Sequence, residues 1–312
     1  MTIKTKSRRT KRRVEAPAPQ SAPLRRWWPY LATAAALVAL AIAPVLATRH
    51  NGGSPMFSAG LPHTPDYHSL LVNPSDARRL LLGTHTGLYV SRDGGRHSRL
   101  DALSGKDAMN LSRPAGKTIW LAGHMVFKRS PDGGASWADV SPSGLPSLDI
   151  HGFAADPNDP QTLYAAVAGQ GLYRSSDGGE SFSLVSHDVG GAVMALAVLP
   201  GGRILAGDMQ QGLLESRDRG ATWTQIVRAQ VMGLAVNPSD SKRIIATGGG
   251  IALSTDGGHS WRLAQALPKG GGPVAWSASD PKLAYVVGFD RTLWRSTDDG
   301  ATWASVAPAK EG

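Results

Sequence analysis

The chain has 312 residues, with 33 Lys/Arg against 24 Asp/Glu, nine His, no Cys and a net charge of +9 at pH 7. Without Cys it has no disulfide staples and no thiolate metal ligands, so a packed core must hold the fold. The charge is local: residues 1–26 carry nine Lys/Arg and one Glu, which is +8 of the +9, and the near-neutral remainder excludes a phosphate-binding field and hence nucleic-acid binding by the body.

In chain order, residues 1–26 read as a basic cytoplasmic tail. Residues 27–47, WWPYLATAAALVALAIAPVLA, contain no charge, and their length matches the roughly 20 residues of a membrane-spanning helix. Trp27, Trp28 and Tyr30 stand where interfacial aromatics belong, and the basic flank predicts a cytoplasmic N-terminus. The expectation is a single-pass anchor in the cytoplasmic (inner) membrane, with the C-terminal domain periplasmic or otherwise extracytoplasmic. A signal peptide cleaved near Val45-Leu46-Ala47 is the competing reading and leads to the same compartment. Residues 48–60 read as a linker, 61–308 as the folded domain and 309–312 as a tail; residues 55–60 either add a strand to the last repeat or stay loose.

The folded domain is written as a repeat. The phrase Ser-x-Asp-x-Gly-x-x-aromatic occurs as SPDGGASW (130–137), SSDGGESF (175–182), SRDRGATW (216–223), STDGGHSW (254–261) and STDDGATW (296–303), and SRDGGRHS (91–98) lacks the aromatic. The spacings between copies are 39, 45, 41, 38 and 42 residues, the period of a four-stranded propeller blade. Between copies run apolar segments separated by breakers such as NPSD (73–76), DPND (156–159) and NPSD (237–240). Segments such as LYVS, LYRS and LWRS have strand bias, and nothing beyond residue 50 sustains a helical period. The predicted fold is all-β, a six-bladed β-propeller preceded by one transmembrane helix.

The six copies resemble the Asp-box (BNR) repeat family, found in sialidases, in sortilin-like receptors and in many bacterial propellers grouped with glycosyl hydrolases. The resemblance covers about residues 60–308 and speaks for fold, not activity. Asp93, Asp132, Asp177, Asp218, Asp256 and Asp298 are expected to be structural, accepting hydrogen bonds from the box Ser and the turn N–H groups. Each box offers too few oxygens for calcium. The family places these hairpins on the face opposite the binding site.

The opposite face is then formed by the starts of the first strands and by the loops between second and third strands. The first-strand position holds His68, Met109, His151, Met194, Met232 and Gly272; the loops contribute His85, His124, Met125 and Met209. Five of the seven methionines and four of the nine histidines fall at these positions. Methionine can simply fill gaps near a narrow channel. As a set, however, thioether plus imidazole without thiolate suits Cu(I), so copper is the expected ion. Asp66, Asp107 and Asp149 stand two residues before ring positions, where they can orient imidazoles or cap the incoming loop.

Enzyme chemistry has weaker support. Sialidase activity, which the resemblance raises, needs an arginine cluster, a tyrosine nucleophile activated by a glutamate, and an acid. Beyond residue 50 the only glutamates are Glu180, Glu215 and Glu311, none on the functional face, and only Tyr67, Arg228 and Arg291 can approach it. A glycosidase using a pair among Asp66, Asp107, Asp149, Asp188 and Asp290 stays open. The favoured function is a membrane-anchored binding or accessory module. The alternatives are a glycoside hydrolase-like enzyme, or an assembly scaffold for a membrane protein complex, similar to the photosystem assembly propellers.

Overall fold

The structure, a computed structural model, describes residues 58–189 and 192–309. The segment expected to anchor the chain, residues 27–47, lies outside them. Among the described residues no helix is long and apolar enough to cross a membrane.

Six antiparallel sheets follow one another along the chain, each built from consecutive strands. Their first strands are Ser69–Val72, Asn110–Ser112, Ile150–Ala155, Val193–Leu199, Gly233–Val236 and Gly271–Trp276. Each touches the first strand of the next blade, and that of blade six touches that of blade one, which closes a ring. The six-bladed propeller expected from the repeat is therefore the observed fold.

Burial explains the sequence pattern. Second strands such as LLLGT (Leu80–Thr84) and LYAAV (Leu163–Val167) are buried along their whole length, because both faces are covered by neighbouring blades. Such strands read as continuous apolar runs rather than alternations. Fourth strands such as RLAQA (Arg262–Ala266) are half-exposed at the rim. The core is accordingly six seams, each packing residues of two adjacent blades. Leu81, Leu88 and Val90 of blade one meet Ile119, Leu121 and Val126 of blade two, and Leu70, Leu80 and Leu82 meet Tyr285, Val287 and Leu293 of blade six.

The boxes hold the hairpins as expected. In STDGGHSW the Ser254 hydroxyl donates to Asp256 Oδ1 at 2.8 Å and accepts from Gly258 N–H at 2.7 Å, while Ser260 N–H donates to Asp256 Oδ1 at 2.9 Å. Trp261 Nε1 donates to Gly258 O at 3.0 Å. Hydrogen bonds from the box hydroxyls and N–H groups hold the Asp132, Asp177 and Asp256 carboxyls far below the usual range, and that of Asp218 at about 2. The NPSD turns do more than break strands. Asn73 Oδ1 accepts from Ser75 N–H at 2.9 Å, and its Nδ2 donates to Gly133 O of the next blade's box at 2.8 Å; Asn237 likewise reaches Pro281 O at 2.9 Å.

Two expectations need correction. Ser58–Ala59 is a strand, but it joins the outer edge of blade one, pairing with His97 and Ser98, and not the last blade. The linker therefore ends before residue 58. This also accounts for the missing aromatic of the first box. Ser98 is buried and donates to Gly60 O at 2.6 Å, so the place a tryptophan would fill is taken by the incoming chain. His97 Nδ1, 2.6 Å from Asp93 Oδ2, takes the part that a Ser or Thr hydroxyl plays in other boxes.

Candidate functional site

The propeller's first strands all begin at one end of the axis, away from the box hairpins. His68, Met109, His151, Met194, Met232 and Gly272, one from each blade, line a single well of about 180 Å³ together with Asp66, Tyr67 and Phe289. The structure thus brings together every first-strand position expected there, Met109 included.

The imidazoles do not stand alone. His85 and His124, from the loops of blades one and two, join them through the three aspartates. Asp66 Oδ1 lies 3.4 Å from His68 Nε2, and its Oδ2 lies 2.9 Å from His85 Nε2. Asp107 Oδ2 lies 2.6 Å from His85 Nδ1 and 2.8 Å from His124 Nδ1. Asp149 Oδ1 lies 3.1 Å from His124 Nε2 and 3.3 Å from His151 Nε2, and the two imidazole Nε2 atoms face each other at 3.1 Å. The seven residues form one alternating row across three blades: His68, Asp66, His85, Asp107, His124, Asp149, His151.

Asp66 and Asp149 each stand beside the imidazole two residues on, the neighbourhood anticipated from sequence. Asp107 instead turns to imidazoles of its own and the preceding blade, because the residue two positions on is Met109. Burial works to raise the Asp66 carboxyl, but the neighbouring His68 and His85 imidazoles hold it below the ordinary carboxylate value. Burial depresses the His151 imidazole, against the opposing pull of Asp149.

Met125 and Met209 are not brought in. The two residues are 77% and 42% exposed, and neither lines the well. Met125 sits at a loop tip with φ of 57°, its N–H donating to Leu148 O. Phe289 is a site residue that the sequence reading does not include. Blade six has Gly272 at its ring position, and a Cβ there would lie 3.0 Å from Phe289 Cε1, so the ring fills the space the glycine leaves. The available signal was that blade six's loop, GFDR, is the only one of the six with an aromatic.

Beside the well runs a groove of about 450 Å³ bounded by Thr64, Tyr67, Lys269, Phe289, Asp290 and Arg291. Tyr67 is no nucleophile: its hydroxyl donates to Pro62 O at 2.6 Å, and burial pushes it up to about 12. Arg291 is held by His63 at 2.6 Å, and Arg228 by Gln225 at 3.2 Å, so the expected anion contacts do not converge. Glu215 is buried between Arg203 and Arg217. Asp290 Oδ1 caps its own turn through Thr292 N–H at 3.0 Å.

Fold and site together define an Asp-box propeller with a donor-rich well at one mouth. The model of the photosynthesis system II assembly factor YCF48 family (PSII_BNR) matches residues 70–311, and the chain belongs to that family. A solved structure of YCF48 bound to D1 peptide superposes with a TM-score of 0.51 at 19% identity, covering 83% of this chain and 85% of that one. YCF48 from Cyanidioschyzon merolae gives 0.51 at 18% identity, over 80% and 88% of the two chains. The GH74 xyloglucanase from Xanthomonas campestris gives 0.56 at 18% identity, covering 81% of this chain but 47% of that one. Among curated proteins, xyloglucanase Xgh74A of Acetivibrio thermocellus is 25% identical, over 60% of this chain and 25% of its own length. The chain spans about a quarter of the curated relatives it matches, and these structural likenesses speak for the fold alone.

Proposed function

We propose that this propeller is a non-catalytic accessory module that binds a polypeptide segment of a membrane protein complex at the mouth carrying the well and its adjoining groove. In this reading residues 27–47 tether it to the membrane, with the propeller on the extracytoplasmic side. The observation that carries it is the state of the carboxylates. Those lining the well and groove are Asp66 and Asp290, the first tied to two imidazoles and the second capping a turn. Asp107 and Asp149 are held by the same imidazole row. A glycosidase needs one free acid and one free base or nucleophile flanking the bond, and among the described residues the well and groove offer no such pair.

The groove has the chemistry of a peptide site. Phe289 is 44% exposed, and Lys269 and Arg291 flank it, so an apolar side chain with a neighbouring acidic group fits. Family membership and the peptide carried by the YCF48 neighbour support the same partner class.

The test is a photo-crosslinking residue in place of Phe289 in the full chain, in its native membranes. The expected product is an adduct with a subunit of a membrane complex, absent when the crosslinker replaces Ala135 at the box end. Release of sugar from xyloglucan by the purified chain, abolished by Asp290→Asn, would replace the binding reading with the hydrolase one.

A further inference from the structure

We propose that the row of imidazoles and carboxylates at the mouth is a binding site for a divalent first-row transition ion of the Zn(II) or Cu(II) class, centred on His85, Asp107 and His124. It stands independently of the polypeptide partner, since it rests on donor chemistry alone.

The first argument is a count of hydrogens. A neutral imidazole has one N–H and one lone pair. His85 nevertheless has a carboxylate oxygen within 2.9 Å of each ring nitrogen, and His124 has one within 3.1 Å of each. One contact of a neutral ring must therefore set a lone pair against an anionic oxygen, so each ring here needs either a second proton or a metal cation in its place. His124 and His151 add two ring nitrogens face to face.

The second argument is unmet demand. Asp66 Oδ1, His68 Nε2, Asp107 Oδ1 and Asp149 Oδ1 are buried and make no well-formed hydrogen bond, only contacts of 3.1–3.8 Å with one another and with the other imidazoles of the row. The Asp107 side chain is only 10% exposed. Buried polar atoms left unpaired are costly, so such a concentration points to a ligand.

The third is geometry. Three groups, Asp66 with His68 and His85, His85 with Asp107 and His124, and His124 with Asp149 and His151, each bring their donor atoms within 4.8 Å of one another. Donors around a tetrahedral zinc with bonds of about 2.0 Å lie roughly 3.3 Å apart, within reach of small side-chain rotations. The central group shares a member with each flanking one. His85 and His124 are about two-fifths exposed, so an ion reaches it from solvent. Imidazole with carboxylate suits zinc and divalent copper better than Cu(I), which prefers the softer thioethers. Met109, Met194 and Met232 line the well beneath without entering the carboxylate row.

The experiment loads the full chain in detergent with Zn(II), Cu(II) or Cu(I), followed by dialysis, metal analysis and titration calorimetry. The expected result is one tightly held Zn(II) or Cu(II) per chain, with affinity falling at least tenfold in both Asp107→Asn and His124→Gln. Affinity is expected to be unchanged in a Met109→Leu/Met194→Leu/Met232→Leu variant and in the control His259→Gln. Loaded Cu(II) should show nitrogen splitting in its paramagnetic resonance spectrum, a readout that needs no variant. Should Asp107→Asn not fold, His85→Gln serves in its place. No stoichiometric divalent ion, or binding that survives all three of these substitutions, overturns the proposal. So does tight Cu(I) binding that depends on the methionines and ignores Asp107, which would restore the soft-metal reading.

Discussion

Gly220→Ala isolates what the boxes contribute to the ring. Gly220 is the second turn residue of SRDRGATW, with φ of +94°, and its N–H donates to Ser216 Oγ at 2.8 Å. A Cβ there would lie 2.5 Å from Leu172 Cδ2, a side chain fully buried in the seam between blades three and four. Leu172 cannot simply turn away, because Tyr164, Leu196, Ile204 and Leu214 pack in the same cluster. The positive φ costs about 1–2 kcal/mol for a residue with a Cβ, and overpacking a filled core adds about 1–3 kcal/mol. A loss of about 3 kcal/mol corresponds to a fall of roughly 6–12 °C in Tm for a domain of this size. Urea and thermal unfolding measure it. The control is Gly257→Asn at the preceding box position, where Arg219 and Asp299 already adopt φ of 61° and 58° in their own boxes; its cost should stay below about 1 kcal/mol. Equal, small losses at both positions would refute the view that the second glycine is a seam contact.

Other expectations follow from the same contacts. Leu293→Ala removes the blade-six side chain that meets Leu80 of blade one and closes on Gly95, so it should cost about 2–5 kcal/mol in urea unfolding. Ser98→Trp should expel the Ser58–Ala59 strand, seen as new protease cleavage near residues 58–62 with the propeller otherwise intact. The box carboxyls titrate below their unfolded value of about 4, so their stabilisation is present above that pH and is lost as pH falls through the folded values. Acid unfolding should therefore begin below about pH 4, and Asp256→Asn should flatten that limb while lowering stability at neutral pH.

The repeat was legible because it is local. Each box closes its own hairpin with hydrogen bonds spanning two to four residues, so Ser, Asp and Gly had to appear at fixed offsets in every copy. The ring column was legible for the same reason, since equivalent positions in a repeat converge on the axis. What the sequence left hidden is what passes between blades. Nothing near Asp107 in the chain says that its partners are His85 and His124, one 22 residues before it and the other 17 after. Phe289 matters only because Gly272, on another strand, leaves room for it. The strand at 58–59 was visible only as a missing aromatic at Ser98, a signal that has meaning once the neighbour is known.

The two ends of the propeller divide the work. At the box end the paired Ser and Asp side chains are satisfied within each hairpin, and the seams between blades need nothing from the mouth. At the mouth, Asp107, Asp66 and Asp149 each keep one buried oxygen that makes no hydrogen bond and only looser contacts to imidazoles. Apolar residues at these positions would pack more cheaply, since a buried polar atom without a partner destabilises by about 1–3 kcal/mol. Stability therefore gives no reason for four imidazoles and three carboxylates to gather there. A substitution that neutralised the row, such as Asp107→Leu, should leave the melting temperature unchanged or raised when no metal is present, and should abolish whatever the mouth binds. A large loss of stability in that variant would make the row a structural network, and the case for a ligand at this end would fall with it.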